Sequence, residues 1–233
     1  MIDWRAIDTV LLDMDGTLLD LHFDSHFWLK HLPRRYVELH RLDAASQEEI
    51  RSRIISEQGT LNWYSLAYWS RELGVDIVAL KREVQHLIGL RSDAMDFLTW
   101  LKHAHPRVVL ATNADRESLA LKLPLTGLED FLDAIVSSAD VGVPKEAQEF
   151  WFALQEIEPF DPARTLFIDD NPAVLESARE FGIRHLLGIK QPDSRRPERD
   201  LEEFIALDRF ASILPSERPG DESHTESQQQ GEG

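Results

Sequence analysis

The sequence predicts an α/β fold, a doubly wound parallel Rossmann-like sheet with an inserted all-helical cap. Three observations predict it. Five short runs of aliphatic and β-branched residues are apolar almost throughout, as in strands buried on both faces of a parallel sheet. Helical patterns separate the last four runs, which gives the strand–helix alternation of a doubly wound domain. The first two runs are held apart by nearly a hundred residues, far more than one crossover helix needs, and that interval is itself helical in pattern.

The expected strands are Thr9–Leu12, Arg107–Ala111, Ala134–Ser137, Thr165–Ile168 and Arg184–Ile189. In the long interval, Ser46 and Glu49 form a capping box ahead of Ile50, Ile54 and Ile55. A second helix is expected over the aromatic stretch Leu61–Leu73, stopped by Gly74. Residues 92–104 read as the crossover helix of the main sheet, which leaves 20–91 as the insertion. The core is then 1–19 together with 92–215. Thr126 with Glu129 reads as a capping box before Leu128, Phe131 and Leu132. Asn171-Pro172 is a good N-cap and first-turn pair, followed by Val174, Leu175, Ala178 and Phe181 on one stripe and a stop at Gly182. The last stretch, residues 216–233, has no aliphatic or aromatic residue and carries −4 of the net charge, so it is expected to be a disordered acidic tail.

Among the 233 residues, 42 acids against 25 basic residues give a formal charge of −17. Such a chain is repelled by nucleic-acid backbones and anionic membranes, so neither is expected as a partner. With no cysteine, disulfides, thiolate zinc sites and cysteine nucleophiles are excluded. No apolar run approaches the roughly 20 residues that span a bilayer. The opening MIDWRAID lacks the basic and apolar segments of a signal peptide, so a cytoplasmic location is expected.

In doubly wound sheets, ligands bind beyond the carboxyl ends of the strands. Here those ends carry Asp13-Met14-Asp15-Gly16-Thr17, Thr112-Asn113, Gly142-Val143-Pro144-Lys145 and Asp169-Asp170-Asn171. Four carboxylates on one edge repel one another, and no arginine stands beside them in sequence. All-oxygen ligands favour a hard divalent ion, Mg²⁺ first, to balance them. Asp13 and Asp15 are two apart, so in extended backbone both side chains leave on one side. Asp13, last on its strand, is placed to attack an electrophile, and Asp15 to protonate the leaving group and then activate water. Thr112, with Asn113 and neighbouring N–H groups, is placed to bind phosphoryl oxygens, and Lys145, read as opening the next helix, adds positive charge.

DMDGT, ATN, GVPK and FIDD, in that order, resemble the four motifs of the haloacid dehalogenase-like hydrolase superfamily. The resemblance implies that Asp13 is the nucleophile of an aspartyl-phosphate, Asp15 the acid/base, and Thr112 and Lys145 phosphate ligands. It implies Mg²⁺, with Mn²⁺ or Co²⁺ as substitutes, held by Asp13, the Asp15 carbonyl and the Asp169-Asp170 pair, most directly Asp170. An insertion after the first motif is, in that family, a helical cap over the substrate. Dehalogenating members lack the second aspartate, so Asp15 favours phosphoester chemistry. The stretches TVLLDMDGTLLDLHFD, LNWYSLAYWSRELG and FGIRHLLGIKQPDS further resemble the bacterial GMP/IMP nucleotidase branch, which implies purine nucleoside 5′-monophosphates as substrates. A phosphatase or phosphomutase for sugar phosphates or other small metabolites remains the alternative. Trp28, Trp63 and Trp69 are expected to build the core of the insertion rather than a base-stacking surface. His22 and His26, four apart, have no evident third metal ligand and are expected to be solvated or core histidines.

Overall fold

The computed structural model describes residues 2–201 and 203–215; the expected acidic tail, 216–233, lies outside the described residues. Six strands form one parallel sheet: β1 (Thr9–Leu12), β2 (Arg107–Thr112), β3 (Ala134–Ser137), β4 (Thr165–Asp169), β5 (His185–Ile189) and β6 (Ile205–Leu207). Their order is β3-β2-β1-β4-β5-β6. Leu12 stands level with Leu110 on one side and Ile168 on the other, so β1 is central and the winding reverses beside it. That reversal is the switch point at which such sheets bind ligands.

The sheet is apolar on both faces because side chains alternate along each strand. Val10 and Leu12 face one core with Phe97, Leu98 and Leu101 of the crossover helix Ala94–Ala104. Leu11, between them, faces the other core with Phe150, Trp151 and Leu154 of Gln148–Ile157 and with Val174 and Leu175 of Pro172–Phe181. The expected Asn171 cap is present: its Oδ1 accepts from the Ala173 N–H at 3.0 Å, and Gly182 ends the helix at φ 107°. Strand β6 has no counterpart among the expected strands. It has only three residues, and Ile205 and Ala206 are exposed.

The insertion leaves and rejoins the core at one place. Asp20 N–H donates to the Gly89 carbonyl and Arg91 N–H to the Leu18 carbonyl, both at 2.9 Å, and Leu19 bridges Leu90 antiparallel. Between these points run α1 (His22–His26), a π-helical turn (Phe27–His31), α2 (Leu32–His40), α3 (Ser46–Ser56), α4 (Leu61–Tyr64), α5 (Leu66–Leu73) and α6 (Ile77–Glu83). They share an apolar core of Phe23, Phe27, Leu32, Ile54, Trp69 and Ile77, and one residue of the main domain, Leu121, packs into it.

Four local expectations are corrected. The N-cap of α3 is Ala45, which brings no side-chain cap; the Asp43 carboxylate just before it accepts from the Ser46 N–H, and no Ser46–Glu49 box forms. The helix expected over Leu61–Leu73 is divided at Ser65, which turns extended and caps α5 through the Tyr68 N–H. Thr126 ends the helix α8 (Arg116–Thr126), its hydroxyl donating back to the Lys122 carbonyl, instead of starting a helix. Lys145 lies in the loop between α9 (Ser138–Val141) and the helix that begins at Gln148, not at a helix start.

Candidate active site

Asp13 follows the last residue of β1, and its N–H donates to the Ile168 carbonyl at 3.0 Å. That bond continues the β1–β4 pairing by one step and sets Asp13 beside Asp169. The chain then folds back sharply, with Leu18 and Leu19 N–H groups both donating to the Met14 carbonyl and Gly16 N–H to that of Leu19. Gly16 sits at φ +95°, and a β-carbon there would lie 2.7 Å from both Cγ and Oδ2 of Asp170. Only glycine lets the Asp170 carboxylate press against this turn.

Asp13, Asp169 and Asp170 are buried and each offers an oxygen within 4.8 Å of the others. Lys145 reaches this group from its loop: its Nζ lies 2.6 Å from Asp13 Oδ1, 2.7 Å from Asp169 Oδ2 and 3.1 Å from the Ala111 carbonyl. All three ammonium hydrogens are thereby engaged, so the lysine orients the nucleophile candidate and supplies charge without a free donor. Asp13 Oδ2, the other oxygen of that carboxylate, is buried and has no partner. Burial pushes Asp13 up to about 6, opposed by Lys145 and reinforced by Asp169. Burial likewise raises Asp169, and raises Asp170 well above its usual range with Asp169 and Asp13 adding to it. Three buried acids held so far from their ordinary ionisation, with oxygens converging on one point, fit a divalent cation bound by hard oxygen ligands.

Thr112 Oγ1 accepts from the Ala114 N–H at 3.0 Å, which leaves its own hydrogen to donate. The side chain of Asn113 is directed to the Lys145 loop: Oδ1 accepts from the Lys145 N–H at 2.9 Å and Nδ2 donates to Glu146 at 3.0 Å. Both ends of its amide thereby tie the end of β2 to that loop. Asp15 stands apart from the triad, its Oδ1 2.7 Å from Lys122 Nζ. Burial raises Asp15 to about 6, Lys122 opposing and Asp24 and Asp13 reinforcing the rise.

A cavity of about 590 Å³ opens over these groups, roofed by the inserted helices, with Trp28, Trp63 and Tyr64 in its wall. Trp69 is fully buried in the insertion's core as expected; Trp28 and Trp63 pack against that core and are partly buried. Insertion and core meet at several polar contacts. Tyr64 donates to Glu146 at 2.9 Å, the Leu66 N–H donates to Asp115 at 2.6 Å, and Asp24 of α1 accepts from Lys122 at 2.7 Å.

The family model described as haloacid dehalogenase-like hydrolase matches residues 7–182. The chain belongs to the haloacid dehalogenase-like hydrolase family. It is 43% identical over 216 residues to the GMP/IMP nucleotidase YrfG of Escherichia coli (strain K12), covering 92% of this chain and 97% of that protein, and equally so to the Shigella flexneri protein of that name. Among solved structures, a HAD phosphatase from Thermococcus onnurineus superposes with a TM-score of 0.70 at 20% identity, covering 91% of this chain and all of that one. CbbY from Rhodobacter sphaeroides, in complex with phosphate, gives 0.63 at 17% identity, over 89% and 96%. These two share the hydrolase's fold.

Several residues of the hydrolase's site were not singled out from its sequence: Lys122, Asp24, Lys81, Glu146 and Arg199. Arg199 arrives from the loop after β5, with Nη1 3.2 Å from Asp170 Oδ2, so the acids do have an arginine, though a distant one in sequence. One signal was present for Lys122. It stands among leucines in SLALKLPL, and it is 1% exposed on the inner side of α8. His22 and His26 lie with ring centroids 5.9 Å apart, and His22 Nδ1 is 3.4 Å from Asp193; the aspartate triad is the sole metal-type cluster among the described residues.

Proposed function

We propose that this hydrolase is a Mg²⁺-dependent phosphomonoesterase acting on purine nucleoside 5′-monophosphates, IMP and GMP foremost, through an aspartyl-phosphate. The observation that carries the reading is the Asp13 carboxylate: one oxygen is fixed by Lys145 and the other is unpartnered within the cavity's catalytic edge.

In the proposed sequence Asp13 Oδ2 attacks phosphorus, and the phosphorus–O5′ bond breaks as Asp15 gives its proton to O5′. Asp15 then takes a proton from the water that attacks phosphorus; the bond to Asp13 breaks, and inorganic phosphate leaves with Asp13 restored. A protonated Asp15 suits the first half, since a nucleoside alkoxide is a poor leaving group. Thr112 donates to a phosphoryl oxygen, while Lys145 keeps Asp13 aimed and offsets its charge. Mg²⁺ would be held by Asp13, Asp170 and the Asp15 carbonyl, with Asp169 beside them, and would neutralise charge on the transferring phosphoryl group. Residues 20–91 act as the cap over a core of 1–19 and 92–215.

The substrate class is supported by the 43% identity to a GMP/IMP nucleotidase across the cap as well as the core. The cavity is of a size that holds a mononucleotide, and Trp28 and Trp63 offer ring faces to a base. The test is phosphate release with Mg²⁺ across IMP, GMP, AMP, pyrimidine monophosphates, glucose 6-phosphate and phosphoglycolate, with Asp13→Asn as control. IMP and GMP well ahead and a dead variant are expected. Sugar phosphates ahead would overturn the substrate class, and an active Asp13→Asn the nucleophile.

A further inference from the structure

Asp15 is one end of a row of alternating charges that crosses from core to cap. Lys122 Nζ lies 2.7 Å from Asp15 Oδ1 and 2.7 Å from Asp24 Oδ2; Asp24 Oδ1 in turn accepts from Lys81 Nζ at 2.7 Å. Both lysines are 1% exposed. Asp15 and Lys122 belong to the core, on the β1 turn and on α8; Asp24 and Lys81 belong to the cap, on α1 and α6. The rings of Phe23, Phe27 and Trp28 enclose the Lys81 ammonium at 5.0, 5.1 and 5.4 Å, and Phe23 also lies 5.3 Å from that of Lys122. The two lysines are thus almost sealed from water, while the two carboxylates keep a partly exposed edge and the whole row borders the cavity.

Two buried ammonium groups and two half-buried carboxylates are an expensive way to join two surfaces. Apolar side chains of similar volume hold such contacts as well or better, and the cap already receives Leu121 from the same helix. What the ions add is direction: the Asp15 carboxylate is held by a lysine whose own position depends on a second carboxylate.

We propose that Lys122 is the positioning residue for Asp15, and that Asp24 of the cap completes its seat, so that Asp15 is aimed at the leaving-group oxygen only when the cap is down. The inference rests on the acid/base reading of Asp15. With the cap raised, Asp24 and Lys81 depart together and Lys122 turns wholly to Asp15. With it lowered, Lys122 is shared, and Asp15 is held off the triad at a fixed distance from the bound ester. No residue of the row is hydrogen-bonded to the nucleophile's carboxylate, so the effect falls on proton delivery.

The experiment compares leaving groups. An alkyl phosphate such as IMP needs its departing oxygen protonated, whereas p-nitrophenyl phosphate releases a stable phenolate without that proton. The quantity is kcat/KM, which counts only steps up to departure of the leaving group, measured on Mg²⁺-loaded wild type, Lys122→Met and Asp24→Asn. General acid catalysis is worth on the order of 100-fold or more, so the IMP to p-nitrophenyl phosphate ratio is expected to fall about 100-fold in Lys122→Met and about tenfold in Asp24→Asn. A merely structural role would lower both substrates together and leave the ratio unchanged, which overturns the inference. If Lys122→Met does not fold, Asp24→Asn, which keeps Asp15 paired with Lys122, decides alone. Asp15→Asn separates the two levels of the argument. A normal ratio there overturns the acid/base reading itself; a collapsed ratio there with a normal one in the Lys122 and Asp24 variants overturns only the positioning inference.

Discussion

Lys145 donates to Asp13 Oδ1 at 2.6 Å while Asp13 Oδ2, on the same carboxylate, is buried with no partner. A single lysine thus fixes the direction of one oxygen by occupying the other. Burial would lower the lysine, but Asp13 and Asp169 raise it, so its charge is permanent. Lys145→Met should lower kcat about 100-fold or more, the scale of losing one preorganised electrostatic contact. Without metal it should also cost about 3–5 kcal/mol of stability, since two buried carboxylates lose their counterion. Denaturant unfolding with EDTA and steady-state kinetics check both, and near-normal turnover would remove the orienting role.

Gly16→Ala places a methyl group 2.7 Å from Asp170 and strains a turn at φ +95°. Asp170 must retreat from the triad. The expected outcome is Mg²⁺ binding weakened by about tenfold, which corresponds to about 1.4 kcal/mol, read by calorimetric titration. Unchanged affinity would show that Asp170 is not set by this contact.

Tyr64→Phe deletes the hydroxyl that joins the inserted helices to Glu146. Burial and the nearby Glu146 charge raise this phenol, so it stays protonated and donates. A hydrogen bond to a charged acceptor is worth about 1.5–3 kcal/mol, and its loss should raise KM by about tenfold or more with a smaller change in kcat. An unaltered KM would mean that the contact does not hold the cap on the substrate.

Asp13 and Asp15 stand at about 6, burial being the largest cause, against an unfolded value of about 3.9. The folded chain therefore holds these protons more tightly than the unfolded one. Their contribution to stability is fully present below about pH 4 and is lost as pH rises through about 6. Asp24 runs the other way. Burial would raise it, but Lys122 and Lys81 bring it down to about 2, so its contribution is lost only as pH falls from about 4 toward 2. Above about pH 7 the metal-free protein carries uncompensated acids, and Mg²⁺ should raise Tm by a few degrees, a gap that closes toward about pH 5 as protons compete. A Tm indifferent to Mg²⁺ at neutral pH would overturn the metal reading.

The sheet was legible because its five longer strands are apolar on both faces, and little else produces such runs between glycine and proline punctuation. β6 was not, since Ile205 and Ala206 are exposed and three residues carry no period. Asp13, Asp15, Thr112, Asp169 and Asp170 were legible because each stands at a strand end, where topology alone brings distant residues together. The partners of those residues come from helices and loops whose approach depends on packing. Lys122 is over a hundred residues from Asp15, Arg199 lies in a loop after β5, and Glu146 meets Tyr64 across the cap boundary. Divided α4 and α5 escaped notice for a similar reason: the Leu66 N–H is held by Asp115, an acceptor outside the segment.

The inserted helices enter and leave through one antiparallel pair, Leu19 with Leu90. A module attached by neighbouring ends can be exchanged for another without rerouting a single strand, so in evolution the inserted helices and the sheet that carries them are free to diverge. Here that freedom is curtailed at two adjacent positions of α8. Leu121 is rooted in the module's interior and Lys122 in its charge row. A transplanted module would have to bring its own socket for both, or the donor's identity would have to change with it.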